Sequence, residues 1–228
     1  MTKPGMGQRM PLDGGALATP RAAAVAGIAF SVLFTTAYVL MRLSVPDDLG
    51  GGTEWLDERA DSIKLAVGLV PFAGIAFLWF IGVIRDRLGE QEDRFFSTVL
   101  LGSGLLFLAL TFVVAAVTAA MVETYNANPD GMVGSGLYAF DRSLAAHLAN
   151  IFAVRMAGVF MISAATIWSR SRTMPRWVTL ATYALAFVQL VTVSYSLWVA
   201  LIFPGWTLGV SLYILVANFR SPRLMLGG

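Results

Sequence analysis

The chain has 228 residues, 57% hydrophobic and 13% charged, with a formal net charge of +2. Soluble domains average about 45–50% apolar and about 25% charged, so this composition excludes an ordinary soluble domain and points to a bilayer. The small net charge without a basic tract argues against nucleic acid as a partner. The absence of cysteine excludes disulfides, zinc–thiolate sites and iron–sulfur clusters. A single histidine excludes bis-histidine haem within one subunit. No cofactor and no metal site is therefore expected.

Residues 1–21 are rich in Gly and Pro and carry Lys3, Arg9 and Arg21, and read as a disordered cytoplasmic tail. The first apolar run, 22–43, exceeds the core of a cleaved signal peptide and reads as an uncleaved anchor. Arg42 at its far end snorkels to the interface. Residues 44–62 form an acidic loop around Gly50-Gly51-Gly52, in which Thr53 suits a helix cap and Trp55 an interfacial anchor.

The second run, 63–84, contains Pro71 and Gly74, a kink signal. The charged loop 85–94 nearly cancels its own charge, and Glu90 with Arg94 makes an i,i+4 pair. The third run, 96–122, is dotted with Gly and Ala that permit close helix contact, and Glu123 stands at its outer end. A loop over 124–140 follows from two turn signals, Asn128-Pro129-Asp130-Gly131 and Gly134-Ser135-Gly136. Asp141 then suits an N-cap for a helix leading into the fourth run, 148–168.

After Trp168 comes a basic turn ending in Pro175-Arg176-Trp177. The remaining apolar stretch is too long for one crossing and is broken at Ser194-Tyr195-Ser196, giving runs 178–194 and 197–219. Pro204 and Gly205 then kink the sixth helix, and Gly205 with Gly209 offers a small-residue packing face. Residues 220–228 are a cytoplasmic tail.

The expected fold is therefore all-α, one polytopic membrane domain of six transmembrane helices with both termini cytoplasmic. That orientation places eleven of the sixteen Lys and Arg inside and nine of the fourteen acids outside, which satisfies the positive-inside rule. An inverted repeat relating the two halves is not evident, because the helix prolines fall in the second and sixth runs.

Arg155 is the residue that singles out a site. An arginine at that depth costs about 2.5–3.5 kcal/mol on insertion scales, so it should face protein or a wet cavity. His147, eight residues earlier, is expected on the same helix face. With Glu123, Asp61, Lys64, Arg42 and Asp141 toward the outer side, an outward-facing polar pocket is expected there. Arg155 then binds a carboxylate or phosphate of an anionic or zwitterionic solute, or it forms a structural ion pair, most directly with Glu123. Gln189 is the other polar residue at depth, as interhelical glue or pathway lining.

Ser135 in Gly134-Ser135-Gly136 is the sole serine suggestive of an intramembrane hydrolase with His147, and its flexible-turn context speaks against catalysis. Small-solute or ion transport is the leading expectation, with an enzyme left as uncertain. A non-catalytic scaffold or accessory subunit, docking a membrane partner or a second copy, is the alternative.

Three segments carry a family resemblance: 77–96, which includes Arg85-Asp86-Arg87-Leu88-Gly89; Arg155 through Met174-Pro175-Arg176-Trp177; and Phe203-Pro204-Gly205-Trp206 through 212–218. Together they resemble a group of uncharacterised integral membrane proteins of bacteria, especially actinobacteria, with no assigned activity. The likeness covers roughly two-thirds of the chain, and the Pro-Arg-Trp turn is its most specific part. It implies a multi-pass protein of the bacterial inner membrane, and it carries no catalytic residue across.

Overall fold

The computed structural model describes residues 19–44, 54–86, 94–192 and 197–220. The expected tails, the Thr53 cap, the Trp55 anchor, the Glu90–Arg94 pair and the break at Ser194-Tyr195-Ser196 lie wholly or partly outside them. Among the described residues there is no strand. The helices are α1 (Thr19–Ser44), α2 (Glu54–Asp86), α3 (Arg94–Ala127), α4 (Pro129–Gly134), α5 (Leu137–His147), α6 (Val154–Ser171), α7 (Arg176–Val191) and α8 (Leu197–Arg220). A π-helical turn, Leu148–Ala153, joins α5 to α6.

Five stretches are long and apolar enough to cross a membrane: Ala22–Ser44, Glu58–Arg85, Arg94–Ala127, Leu137–Ser171 and Val199–Ala217. In hydrocarbon every backbone N–H and C=O must be satisfied internally, and helices achieve that within one segment. Several buried hydroxyls obey the same rule. Thr118, Thr182 and Thr207 each donate to the carbonyl four residues back, at 2.8, 2.8 and 3.0 Å. Outward-facing Trp79, Leu180 and Phe187 are 68%, 71% and 64% exposed, an apolar surface that suits lipid contact.

The fifth of the expected crossings differs in length. α7 has 16 residues, shorter than the five spanning stretches. Its start follows from the sequence: Arg172, with φ 53°, ends α6 in the left-handed conformation, and the Pro175 carbonyl accepts from the Val178 and Thr179 amides.

The expected loop at 124–140 is instead mostly helical. α3 runs on to Ala127, and Asn128 Oδ1 accepts from the Gly131 amide at 3.0 Å, starting α4. Gly136, with φ 73°, supplies the left-handed link to α5. Asp141 therefore lies inside α5 and does not cap it. The turn signals are used, but as helix boundaries.

The core is an aromatic cluster. Phe30 of α1, Phe77 of α2, Phe107 of α3, Phe160 of α6 and Phe203 of α8 are all at most 4% exposed. Their rings meet at 4.7 Å (Phe30–Phe77), 4.8 Å (Phe107–Phe203) and 5.7 Å (Phe160–Phe203), within the range of favourable tilted and edge contacts. Each such pair is worth about 0.5–1.5 kcal/mol beyond its area.

Around this cluster α1 packs against α2 and α8, and α6 against α3 and α7. Gly27 permits the α1–α8 approach, since a methyl there would overlap Ser211 Oγ. Trp206 Nε1 donates to Thr182 Oγ1 at 2.9 Å, tying α8 to α7, and the Thr166 and Tyr183 hydroxyls meet at 2.9 Å between α6 and α7. Gly205 and Gly209, expected as a packing face, are exposed with nothing opposite them among the described residues.

Candidate functional site

The helix that carries Arg155 is wider at one turn than its neighbours. Across Leu148–Ala153 the backbone stays helical, from His147 (φ −66°, ψ −45°) to Val154 (φ −58°, ψ −40°), but with π-type geometry. Single π turns interrupt α-helices mostly at functional positions. Three side chains serve this turn. Asn150 Nδ2 donates to the Ala146 carbonyl at 2.9 Å, Tyr38 of α1 donates its hydroxyl to Asn150 Oδ1 at 3.3 Å, and Arg155 Nη1 donates to the Ile151 carbonyl at 2.9 Å. The widened turn is thus bonded from inside its own helix and pinned to α1.

The polar cluster expected around Arg155 is not assembled. Arg155 is half-buried and bonded within its own helix, and it makes no hydrogen bond or ion pair with Glu123 or His147. Glu123 is exposed on α3. His147 is exposed, with Nδ1 2.8 Å from the Ser143 carbonyl, so that nitrogen carries the proton. Asp61 and Lys64 meet each other at 3.8 Å on an open face of α2, a contact of little energetic weight. Arg42 and Asp141 are half-buried.

Ser135 Oγ donates to the Met132 carbonyl at 3.1 Å, within its own turn. Among the described residues no group of three His, Cys, Asp or Glu side chains is placed to hold a metal.

The more deeply buried arginine is Arg142, at 8% exposure, which donates to the Tyr138 hydroxyl at 3.2 Å. Sequence reasoning did not single it out. The signal was present in the spacing, because Tyr138 and Arg142 fall four residues apart on one helix face.

What the fold does build is a cavity of about 70 Å³ between the second half of α1, the middle of α2 and α3, the π turn, the end of α7 and the start of α8. Alanines make the room: Ala37, Ala115, Ala149, Ala153, Ala157 and Ala200 all line it, with Phe34, Phe107 and Phe203 as its aromatic walls. The π turn brings two of these alanines, Ala149 and Ala153, to the cavity wall.

Three side chains with polar atoms reach the wall: Tyr38, Thr111 and Gln189. The Tyr38 hydroxyl is spent on Asn150, and that of Thr111 donates to the Phe107 carbonyl at 2.8 Å. Gln189 is completely buried, and its Nε2 donates to the Val199 carbonyl of α8 at 3.3 Å. Its Oε1 is buried and has no hydrogen-bond partner among the described residues. Gln189 thus bonds α7 to α8 and lies in the cavity wall. Its free carbonyl was not foreseeable.

Comparison with protein-family models, with curated proteins and with solved structures finds no match to this chain. The functional reading therefore rests on the geometry of the bundle itself.

Proposed function

We propose that the protein takes a small, largely apolar molecule into the cavity beside the π turn, as the binding step of a small-solute transporter. The supporting observation is the cavity: about 70 Å³ kept open by six alanines, from α1, α3, the π turn, α6 and α8. Packed interiors contain few voids larger than a water, and about 10–15 Å³ by this measure holds one water. An opening several times that size forfeits packing, a cost that a bound molecule offsets.

In this reading the bundle crosses the membrane six times, with α7 as a short fifth crossing, and both termini are cytoplasmic. The inner membrane of a bacterium is the proposed location, and the charge asymmetry supports the cytoplasmic termini. The cavity then lies toward the outer half. The Arg155 guanidinium bonds to the Ile151 carbonyl of its own helix, and Arg155 is not part of the cavity lining.

Xenon is a direct probe of a small apolar cavity. The purified protein should shift the xenon-129 resonance saturably, and Ala153→Leu, which fills the wall, should abolish the saturable component while leaving the protein folded. A linear, unsaturable response from the wild type would reject the cavity as a binding site.

A further inference from the structure

We infer that the cavity selects molecules that join a compact apolar body to a single hydroxyl or amine donor, recognised by the Gln189 side-chain carbonyl. This deepens the reading of the cavity as a binding site and rests on it. Gln189 is 0% exposed and its Oε1 has no partner among the described residues. A buried amide oxygen without a hydrogen bond costs about 1–3 kcal/mol, and so large an expense at a cavity wall is offset when a ligand supplies the donor.

The orientation of the amide is fixed by its neighbour. The Val199 carbonyl accepts and cannot donate, so the Gln189 nitrogen must face it and the oxygen must face away. The Thr111 and Tyr38 hydroxyls spend their hydrogens on Phe107 and Asn150 and so are already bonded, whereas Gln189 Oε1 is the lining side-chain oxygen with no hydrogen-bond partner among the described residues. At about 70 Å³, under half the room that holds a benzene, the cavity suits an apolar body of about three carbons. A charged group is excluded, because no side chain of opposite charge lines the cavity.

The discriminating pair of probes is propan-2-ol and propanone, which share size and shape but differ in that only the alcohol donates. Each is titrated against the xenon-129 signal of the full chain in detergent. Propan-2-ol should displace xenon from the wild type at about five- to tenfold lower concentration than propanone, the worth of one buried hydrogen bond. Gln189→Met, of similar volume without the amide, should keep the xenon signal and lose the preference.

Equal displacement by the two probes would overturn the donor selectivity while leaving the apolar cavity standing. That result would also follow if a water already satisfied Oε1. No saturable xenon signal at all would overturn the underlying reading of the cavity. The wild-type comparison decides even if the Met variant fails to fold.

Discussion

Two arginines invite opposite treatment. Arg155 is half-buried and donates to a carbonyl of its own helix, whereas Arg142 is nearly enclosed and donates to a tyrosine hydroxyl. Arg155→Met removes one net hydrogen bond of about 0.5–1.5 kcal/mol and also the cost of placing a cation at depth, so its stability should stay within about 1 kcal/mol of wild type. Arg142→Met removes the guanidinium that donates to the Tyr138 hydroxyl in an enclosed site and should cost about 1–3 kcal/mol. Reversible unfolding in mixed micelles measures both, and a larger loss at Arg155 than at Arg142 would reverse the assignment. Depth in an apolar run made Arg155 legible from sequence, but its bonding partner depends on a π turn that residue spacing does not announce. Gln189 was legible as a buried amide. Its partner Val199 lies only ten residues on, across the link from α7 to α8, yet which of its two polar ends is left free depends on packing.

Helix contacts bring out the same division. The apolar runs located the helices, because a membrane-grade stretch has no other way to satisfy its backbone. Residues 124–140 were misjudged because Asn128 and Gly136 act as boundaries between helices and not as ends of structure. Nor did composition tell which glycines matter. Gly27 sits against Ser211 and Phe80, whereas Gly102 has open space where a side chain would go. Gly27→Ala should therefore destabilise the protein by about 1–3 kcal/mol. Ser211→Ala on its own should cost little, since Ser211 Oγ has no hydrogen-bond partner among the described residues, and combined with Gly27→Ala it should recover much of the loss. Gly102→Ala should be neutral or gain about 0.5–1 kcal/mol from reduced backbone freedom. Equal losses at the two glycines would refute the close α1–α8 approach. The cavity escaped sequence reading for a related reason: its alanines are ordinary within each helix and become a void only where several helices meet.

For the whole molecule, the number of crossings decides the arrangement of the ends. Six crossings put the start of α1 and the end of α8 on one side; five would put them on opposite sides. The natural chain has no cysteine, so single substitutions report without further engineering. Thr19→Cys and Arg220→Cys should both resist a membrane-impermeant thiol reagent in intact cells and react after permeabilisation, whereas Asp130→Cys should react at once. Labelling of only one end in intact cells would mean that α7 does not cross. As a crossing helix, the 16 residues of α7 rise about 24 Å at about 1.5 Å each, against a hydrocarbon core of about 30 Å. Lipid beside that helix must thin to meet it, at a fraction of a kcal/mol for each ångström of shortfall. With α7 crossing, the protein would be coupled to bilayer thickness along one flank: thick membranes would strain α7, at the end that carries Gln189, and thin ones would relieve it.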